Sequence, residues 1–214
     1  MNASALKFTL RREEKRDWGV VERLTYHAFL DARHTDGNEA LLVKKLRGCG
    51  AFVPELDFVA ELDGTVVGNI MYAKSKIIGN SGEWETLTFG PVSVLPKYQK
   101  QGIGGALITK TLSIAREMGY RAVLILGDPG YYSRFGFADA AKYEITTSDG
   151  ANFPDFMVLP LYAGALDGIS GRLIFDDVYF TLDKAESDAL NARLGENDND
   201  IKIAAGLDPG GIKN

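Results

Sequence analysis

The chain has 214 residues, 45% of them hydrophobic and 25% charged, with a net charge of −5, values typical of a globular protein with one sizeable core. No basic block stands out, which argues against a nucleic-acid-binding protein, and no apolar run approaches the roughly 20 residues that span a bilayer. A single cysteine excludes an internal disulfide framework, and with only two histidines beside it the composition argues against a structural zinc site.

The first part of the chain predicts a strand followed by two helices. Residues 6–11 alternate between apolar and polar side chains, as in a strand, and the N-terminus lacks the apolar run of a secretory signal. Asp17 is placed to cap a helix that runs to about residue 30, with apolar residues at helical spacing. Asn38 begins a second helix, which ends at Gly48.

A hairpin and a long strand follow. Residues 56–62 and 65–72 form the two strands of the hairpin, and residues 74–78 extend the second. Asp63-Gly64 joins them, because a type I′ turn requires positive φ at both central positions. Residues 84–94 form the long strand. Gly90-Pro91 interrupts it, and we expect a break or bulge there because proline has no N–H to donate to the ladder.

The next segment predicts a helix, a buried strand and a short helix. Residues 103–118 have apolar residues at helical spacing, and Gly119 is well suited to end that helix. Residues 122–126 form a continuous apolar run, which is typical of a strand buried on both faces. A turn at Asp128-Pro129-Gly130 then precedes a short helix over residues 131–135.

The pattern weakens after residue 138. Residues 156–161 and 173–180 look like strands, and we expect the first of them to pair into the sheet. Asp183, with Glu186 three residues later, is a capping arrangement for a helix to about residue 194. The order of the elements predicts a mixed α/β (α+β) sheet and not a doubly wound parallel one.

The segment between the long strand and the helix at residue 103 carries the chemistry. Glycines at positions 102, 104 and 105 remove side chains where a backbone approaches a ligand. The first N–H groups of the helix are unpaired, and with the helix dipole they form a site for an anion such as a pyrophosphate. A simple turn is the alternative. No Gly-Lys-Ser/Thr follows, which excludes a P-loop, and the third glycine of the dinucleotide fingerprint is missing.

Two short motifs, one before this helix and one after the buried strand, resemble a known family. The first is the run Gln99-Lys100-Gln101-Gly102-Ile103-Gly104, and the second is Tyr132-Ser133-Arg134-Phe135-Gly136-Phe137. They match the Gln/Arg-x-x-Gly-x-Gly/Ala signature and the Tyr-x-x-x-Gly-Phe element of the GNAT (Gcn5-related N-acetyltransferase) superfamily. The combined pattern is similar to a bacterial subgroup of predicted acetyltransferases, and the GNAT resemblance covers roughly residues 6–160.

The resemblance implies a GNAT-like fold with acetyl-CoA as cosubstrate. The sheet is then mostly antiparallel, with helices on both faces and a splayed strand pair that holds the cofactor. Gly90-Pro91 is the candidate for the bulge at the splay. Residues 92–94 are expected to pair with the pantetheine arm, and the glycine loop to bind the pyrophosphate. The implied cofactor-binding residues are Val92, Ser93, Val94, Gln99, Lys100, Gln101, Gly102, Ile103, Gly104 and Gly105.

The implied reaction is direct transfer of the acetyl group to a primary amine of a small molecule or peptide. Tyr132 matches the position that the family proposes as general acid. A phenol with a pKa of about 10 can donate to a thiolate of pKa about 8.5 if the site is dry and aligned. Packing on the acyl pocket is the alternative role for Tyr132. In direct transfer the amine is the nucleophile and no nucleophilic residue of the protein is needed, and Cys49 lies far from both motifs in the sequence.

The general base is left open between a water chain and four carboxylates, which are Glu55, Glu61, Glu83 and Glu85. Asp128 also has no assigned role, because many members of the family carry an asparagine in that region. Near the glycine loop lie three cationic residues that are candidates for phosphate contacts, Lys97, Lys100 and Arg134.

Residues 1–165 are expected to form the GNAT domain, residues 166–195 a C-terminal extension of a strand and a helix packed on it, and residues 196–214 a flexible tail. We expect a soluble cytoplasmic protein without a metal, a nucleic-acid partner or a membrane contact, and the sequence is compatible with a homodimer. A non-catalytic acyl-CoA-binding or regulatory module on the same fold is the alternative function, and another type of nucleotide-binding domain is a third.

Overall fold

The structure is a computed structural model that describes residues 6–30 and 35–196. Within these ranges the strands are β1 (Thr9–Arg12), β2 (Phe58–Leu62), β3 (Thr65–Gly79), β4 (Gly82–Val94), β5 (Ala122–Leu126), β6 (Ala138–Asp139), β7 (Ile145–Thr146), β8 (Phe156–Pro160) and β9 (Gly171–Ile174). The helices are α1 (Trp18–Phe29), α2 (Glu39–Leu46), α3 (Ile103–Glu117), α4 (Pro129–Tyr132) and α5 (Lys184–Glu196). None of these helices is long and apolar enough to cross a membrane.

All described strands belong to one sheet, in the order β1-β2-β3-β4-β5-β8-β6, with β9 on β3 and β7 on β9. Neighbours are antiparallel except for two parallel pairs, β4 with β5 and β7 with β9. The pairing of β4 with β5 is registered at Leu87 and Val123. This confirms the expected mixed, mostly antiparallel sheet. Beyond Leu87, residues 88–94 of β4 have no paired residue on β5.

A bulge interrupts β4 where the sequence predicts one. Ile70 of β3 lies opposite Val92, but Tyr72 lies opposite Phe89, so Gly90-Pro91 occupies the space of one β3 residue. The peptide bond between Gly90 and Pro91 is cis. An extra residue bends a strand and ends regular pairing, which explains why β4 leaves its parallel neighbour near this point.

Helices cover both faces of the sheet, as expected. Side chains alternate along β3, because successive residues of a strand point to opposite faces. A Cβ at Gly68 would meet Ile103 of α3 at 3.0 Å, and the Tyr72 hydroxyl lies 2.9 Å from the Thr111 hydroxyl of the same helix. Asn69, between them, accepts a hydrogen bond from Thr25 of α1 on the other face. The core therefore consists of two layers separated by β3 and β4.

The hairpin between β2 and β3 has the predicted turn. Asp63 and Gly64 have φ of 49° and 78°, as a type I′ turn requires.

The start of α1 differs from the prediction. Asp17 does not cap the helix with its side chain, because its carboxylate accepts hydrogen bonds from Arg11 at 2.6 and 3.0 Å and from the Glu14 N–H at 2.9 Å.

The last third of the chain is partly as predicted. Strand β8 pairs with β5, which confirms the strand expected at residues 156–161. The strand expected at residues 173–180 ends at Ile174, because the Asp176 side chain accepts from the Val178 N–H at 3.0 Å and tightens a short helical turn. Asp183 accepts from the Glu186 N–H at 2.8 Å, as in the predicted cap of α5. The expected tail, residues 197–214, lies outside the described residues.

A buried cluster of charged side chains joins the N-terminal segment to β2. Arg47 is 4% exposed and pairs with Glu13 at 2.5 Å and Glu22 at 3.0 Å. Asp57 is 5% exposed. Burial, and then a hydrogen bond with Glu13, raise the pKa of Asp57 well above its ordinary value. Arg47 pairs with Glu13 and Glu22, and burial of Asp57 beside Glu13 favours the protonated form of Asp57 in the folded state.

Asp57→Asn is expected to stabilise the fold more as the pH rises. Because the folded-state pKa is raised, the wild-type free energy of unfolding is greatest below the unfolded pKa of about 4 and falls as pH rises toward the folded pKa. Asparagine stays neutral, so the variant should exceed wild type by about 2 kcal/mol or more at pH 8 and by little near pH 4. Urea unfolding at both pH values measures this, and a pH-independent difference would contradict a protonated Asp57.

Candidate functional site

A cavity of about 690 Å³ opens where β4 departs from β5. Its walls come from the end of β4, the loop that follows, the first turn of α3, and α4 with the residues after it. Eight of the ten predicted cofactor-binding residues line it, namely Val92, Val94, Gln99, Lys100, Gly102, Ile103, Gly104 and Gly105. Tyr132, the predicted general acid, lines it as well.

The two remaining predicted residues, Ser93 and Gln101, do not line the cavity. The Ser93 side chain is 1% exposed and points to the opposite face, where its hydroxyl donates to the Thr25 hydroxyl at 3.1 Å. Alternation along the strand requires this, because Val92 and Val94 face the cavity. The Gln101 amide donates to the Lys97 carbonyl at 2.8 Å and closes the loop from outside. Any role of these residues toward a ligand would therefore be through backbone atoms or loop shape.

The start of α3 has the geometry of an anion site. Gly102 has φ of 91°, a conformation that glycine adopts without strain, and it directs the chain into the helix. The first intrahelical hydrogen bond runs from the Ala106 N–H to the Gly102 carbonyl at 2.9 Å. No side chain caps this end of the helix. The N–H groups of residues 103–105, which line the cavity, are therefore available to a ligand.

Two polar contacts hold the loop before α3 in place. The Gln99 amide donates to the Val94 carbonyl at 3.0 Å and ties the loop to the end of β4. Lys97 lies 5.5 Å from the centroid of the Tyr98 ring. Lys100 adopts φ of 60° and is exposed at the cavity wall, so its ammonium can reach an anion held by the helix. Gln99 and Gln101 therefore shape the loop with their side chains.

Helix α4 brings two tyrosines to the cavity. Asp128 accepts a hydrogen bond from the Gly130 N–H at 2.8 Å, so this residue caps α4, a role that the sequence left open. Tyr131 and Tyr132 pack edge to face with centroids 5.0 Å apart and an interplanar angle of 88°. Both line the cavity, although helical spacing predicts that they point apart. Arg134 stacks on Tyr131 with its guanidinium carbon 4.6 Å from the ring centroid.

Tyr132 lies at the inner end of the cavity, against buried aromatic rings. Its ring centroid is 5.9 Å from those of Phe89 and Phe137. Burial, with smaller contributions from Tyr131 and Asp128, raises the pKa of Tyr132 to about 12. The phenol therefore stays protonated across the working pH range, in the state that a proton donor needs.

Gly127→Ala is expected to displace Tyr132. A Cβ at position 127 would lie 2.6 Å from Cδ2 of the Tyr132 ring, closer than real Cβ contacts, and the ring has aromatic neighbours that restrict its movement. We expect the free energy of unfolding to fall by about 1–3 kcal/mol, which denaturant unfolding measures. Gly48→Ala is the control, since a Cβ there makes an ordinary 3.6 Å contact. Equal stability of the two variants would contradict the observed packing.

None of the four candidate general bases lines the cavity. Glu83 pairs with Lys76 at 2.9 Å, and Glu85 pairs with Lys74 at 3.1 Å, on exposed parts of β3 and β4. Glu61 pairs with Arg11 at 2.8 Å, and Glu55 is exposed on a short turn before β2. Among the described residues, the lining of this cavity therefore includes none of the four carboxylates.

Two aromatic residues of the cavity wall, Tyr98 and Phe135, were not predicted as site residues from the sequence. Tyr98 and Phe135 line the cavity, and Phe135 packs on Tyr131 with centroids 5.6 Å apart. Phe135 follows Tyr131 by four residues and Tyr132 by three, a spacing that places side chains on one side of a helical turn. This spacing is the feature of the sequence that could have identified Phe135 as a neighbour of the two tyrosines.

Comparison with known proteins gives consistent matches. The model of the family described as acetyltransferase (GNAT) domain matches residues 55–139. The N-acetyltransferase YhbS of Escherichia coli K12 is 36% identical over 140 residues, which are 65% of this chain and 81% of that protein. The N-acetyltransferase YjhQ of the same organism is 30% identical over 63% of this chain and 71% of its own.

Solved structures agree with the sequence matches. The crystal structure of E. coli YhbS in complex with CoA has a TM-score of 0.71 and 29% identity, and the match covers 86% of this chain and 97% of that one. A GNAT family acetyltransferase from Brucella melitensis in complex with acetyl-CoA has a TM-score of 0.65 and 31% identity, over 81% and 99% of the two chains. With the two motifs in the wall of one cavity, these matches show that the chain belongs to the GNAT family of acetyltransferases.

Proposed function

We propose that this chain is an N-acetyltransferase that transfers the acetyl group of acetyl-CoA directly to a primary amine. One observation carries the proposal: a single cavity has a helix N-terminus suited to anions at one end and a buried, protonated phenol at the other. The relatives named above are N-acetyltransferases, and two structures of similar proteins contain acetyl-CoA or CoA.

The residues of the cavity fit this cosubstrate. Gly102, Gly104 and Gly105 leave the start of α3 open, so the N–H groups of residues 103–105 can donate to the pyrophosphate. Lys100 and Arg134 line the same region and supply positive charge. The edge of β4 at residues 92–94 has no registered strand neighbour on the β5 side and is the natural partner for the pantetheine amides.

The chain's own groups would act as follows in the transfer. A backbone N–H of residues 92–94 would donate to the thioester carbonyl oxygen as negative charge develops there. The amine nitrogen would form the new bond to the carbonyl carbon, and the carbon–sulfur bond would break. Tyr132 would donate its phenolic proton to the departing thiolate. The dry environment that raises the phenol's pKa also disfavours a bare thiolate, so proton donation stabilises the product. A water would take the proton of the amine.

Calorimetric titration with acetyl-CoA tests the proposal, with ATP and NAD as control ligands. We expect saturable binding of acetyl-CoA alone, followed by release of CoA when a suitable amine from a panel is added. Binding without turnover of any amine would favour a non-catalytic acyl-CoA-binding module. Absence of acetyl-CoA binding at millimolar concentration would overturn the proposal.

We also propose that residues 166–195 are an extension that packs on the start of α2 and on Gly37 before it. Ser187 and Asn191 of α5 each donate to the Gly37 carbonyl at 2.8 Å. Leu190 and Leu194 pack with Ala40 and Leu41 of α2 in a small separate core. The homodimer and the cytoplasmic location stay predictions, for light scattering and cell fractionation to test.

A further inference from the structure

A group of buried aromatic side chains packs behind Tyr132, one of the residues that line the cavity. Phe89, Tyr72 and Phe137 are 7%, 0% and 3% exposed. The Phe89 ring centroid is 5.1 Å from that of Tyr72, and 5.9 Å from those of Phe137 and Tyr132. We call Phe89, Tyr72 and Phe137 the end wall. Protein interiors are close-packed, so such a wall leaves little space behind the Tyr132 ring.

The direction of the cavity determines which part of the cosubstrate meets the end wall. The anion site follows Val94 in the chain, and Phe89 lies at the other end of the same stretch of β4, before the bulge. A ligand with its phosphates at α3 therefore extends along residues 94 to 92 toward Tyr132. Its thioester lies beside that phenol, and the acyl group beyond the sulfur faces Phe89. This step rests on the proposed function.

The end wall is held from behind and cannot retreat easily. The Tyr72 hydroxyl lies 2.9 Å from the Thr111 hydroxyl, which also donates to the Leu107 carbonyl at 2.8 Å within α3. Phe89 precedes the Gly90-Pro91 bulge and is paired through its backbone with Tyr72. A longer acyl chain would have to move a buried ring that is anchored to both a strand and a helix.

We propose that Phe89, supported by Tyr72 and Phe137, limits the acyl donor to acetyl-CoA and rejects longer acyl groups. Each extra methylene group in a closed apolar pocket changes discrimination by about 10-fold or more. Butyryl-CoA should thus bind at least about 10-fold more weakly than acetyl-CoA to the wild-type protein. Removal of ring volume at position 89 should reduce this preference.

The experiment is calorimetric titration of the full chain with acetyl-CoA, propionyl-CoA and butyryl-CoA. The variants are Phe89→Leu, which shortens the end wall, and Phe175→Leu, which makes the same change at an aromatic residue in a different part of the fold, beside Tyr179. We expect Phe89→Leu to raise the butyryl-to-acetyl affinity ratio at least about 10-fold, and Phe175→Leu to leave the ratio unchanged.

Equal binding of acetyl-CoA and butyryl-CoA by the wild type would overturn this inference and leave the proposed function intact. If Phe89→Leu does not fold, Phe89→Met, which keeps an apolar and adaptable side chain at the same position, takes its place in the titrations. An unchanged affinity ratio in folded Phe89→Leu would also overturn it, because another residue would then set the limit. Failure of every acyl-CoA to bind the wild type would overturn the proposed function, and the inference with it.

Discussion

Replacing Tyr132 with phenylalanine is expected to lower kcat about 100-fold, with a change of less than about threefold in the KM for acetyl-CoA. Phenylalanine keeps the ring that packs on Phe89 and Phe137 but removes the hydroxyl that would protonate the thiolate. An interaction made only in the transition state affects kcat and leaves ground-state binding intact. Steady-state kinetics with the best amine of the panel measures the effect.

The control for this variant is Tyr162→Phe, because Tyr162 is 42% exposed and bonds to Arg121 away from the cavity. It should leave kcat within about twofold of wild type. Since the pKa of Tyr132 is raised to about 12, loss of activity at pH 8–10 cannot come from its ionisation. A Tyr132→Phe protein with wild-type kcat would show that the tyrosine only packs on the acyl pocket, the alternative left open by the sequence.

Replacing Gly104 with valine is expected to lower the affinity for acetyl-CoA about 10- to 100-fold. A Cβ there would lie 3.2 Å from the Tyr131 hydroxyl, 3.7 Å from Val94 and 4.0 Å from Val92. The methyl groups of valine would therefore enter the cavity beside the N–H groups that we propose to bind the pyrophosphate. The smaller Gly104→Ala variant should show the same change to a lesser degree. Calorimetry measures both.

Gly19→Ala is the matched control for these glycine variants. Position 19 is also in the first turn of a helix, and a Cβ there meets nothing within 4 Å. Alanine should thus be tolerated or stabilising, with unchanged affinity for acetyl-CoA. If Gly104→Val binds acetyl-CoA as tightly as Gly19→Ala does, the anion site is not at the start of α3.

Much of the fold was predictable because local rules and tertiary packing agree. The Asp63-Gly64 turn, the end of α3 at Gly119 and the interruption at Gly90-Pro91 each follow from backbone preferences of single residues. The apolar run at residues 122–126 forms a strand buried over most of its length, in the position the sequence predicts. Such signals survive folding because the tertiary structure does not oppose them.

The errors arise where a side chain forms a hydrogen bond that residue type and apolar periodicity do not predict. Asp17 is a good N-cap by type, but Arg11 binds its carboxylate more strongly, since a charged guanidinium competes with a backbone N–H. Residues 175–180 have strand-like composition, yet the Asp176 carboxylate accepts a hydrogen bond from the Val178 N–H and turns the chain. The alternation of apolar and polar residues does not indicate either of these two hydrogen bonds.

Some residues of the site were recognisable from continuous motifs, and others come together only through the folding of separate elements. The glycine loop and Tyr132 were recognisable because both motifs are short and continuous in sequence. The direction of the buried Ser93 side chain, away from the cavity and toward Thr25, depends on the register of β4, which the bulge at Gly90-Pro91 shifts. The end wall combines Tyr72, Phe89 and Phe137 from separate elements, so no linear motif contains it.

The single registered contact between β4 and β5, at Leu87 and Val123, also bears on how such a protein can diverge. Beyond that contact the sheet leaves main-chain groups without a neighbour, and main-chain groups are the same whichever side chain a residue carries. Mutations around a site of this kind are restricted mainly by volume and by the need for glycine at a few positions. A binding surface made of main-chain groups can therefore persist through extensive replacement of its side chains.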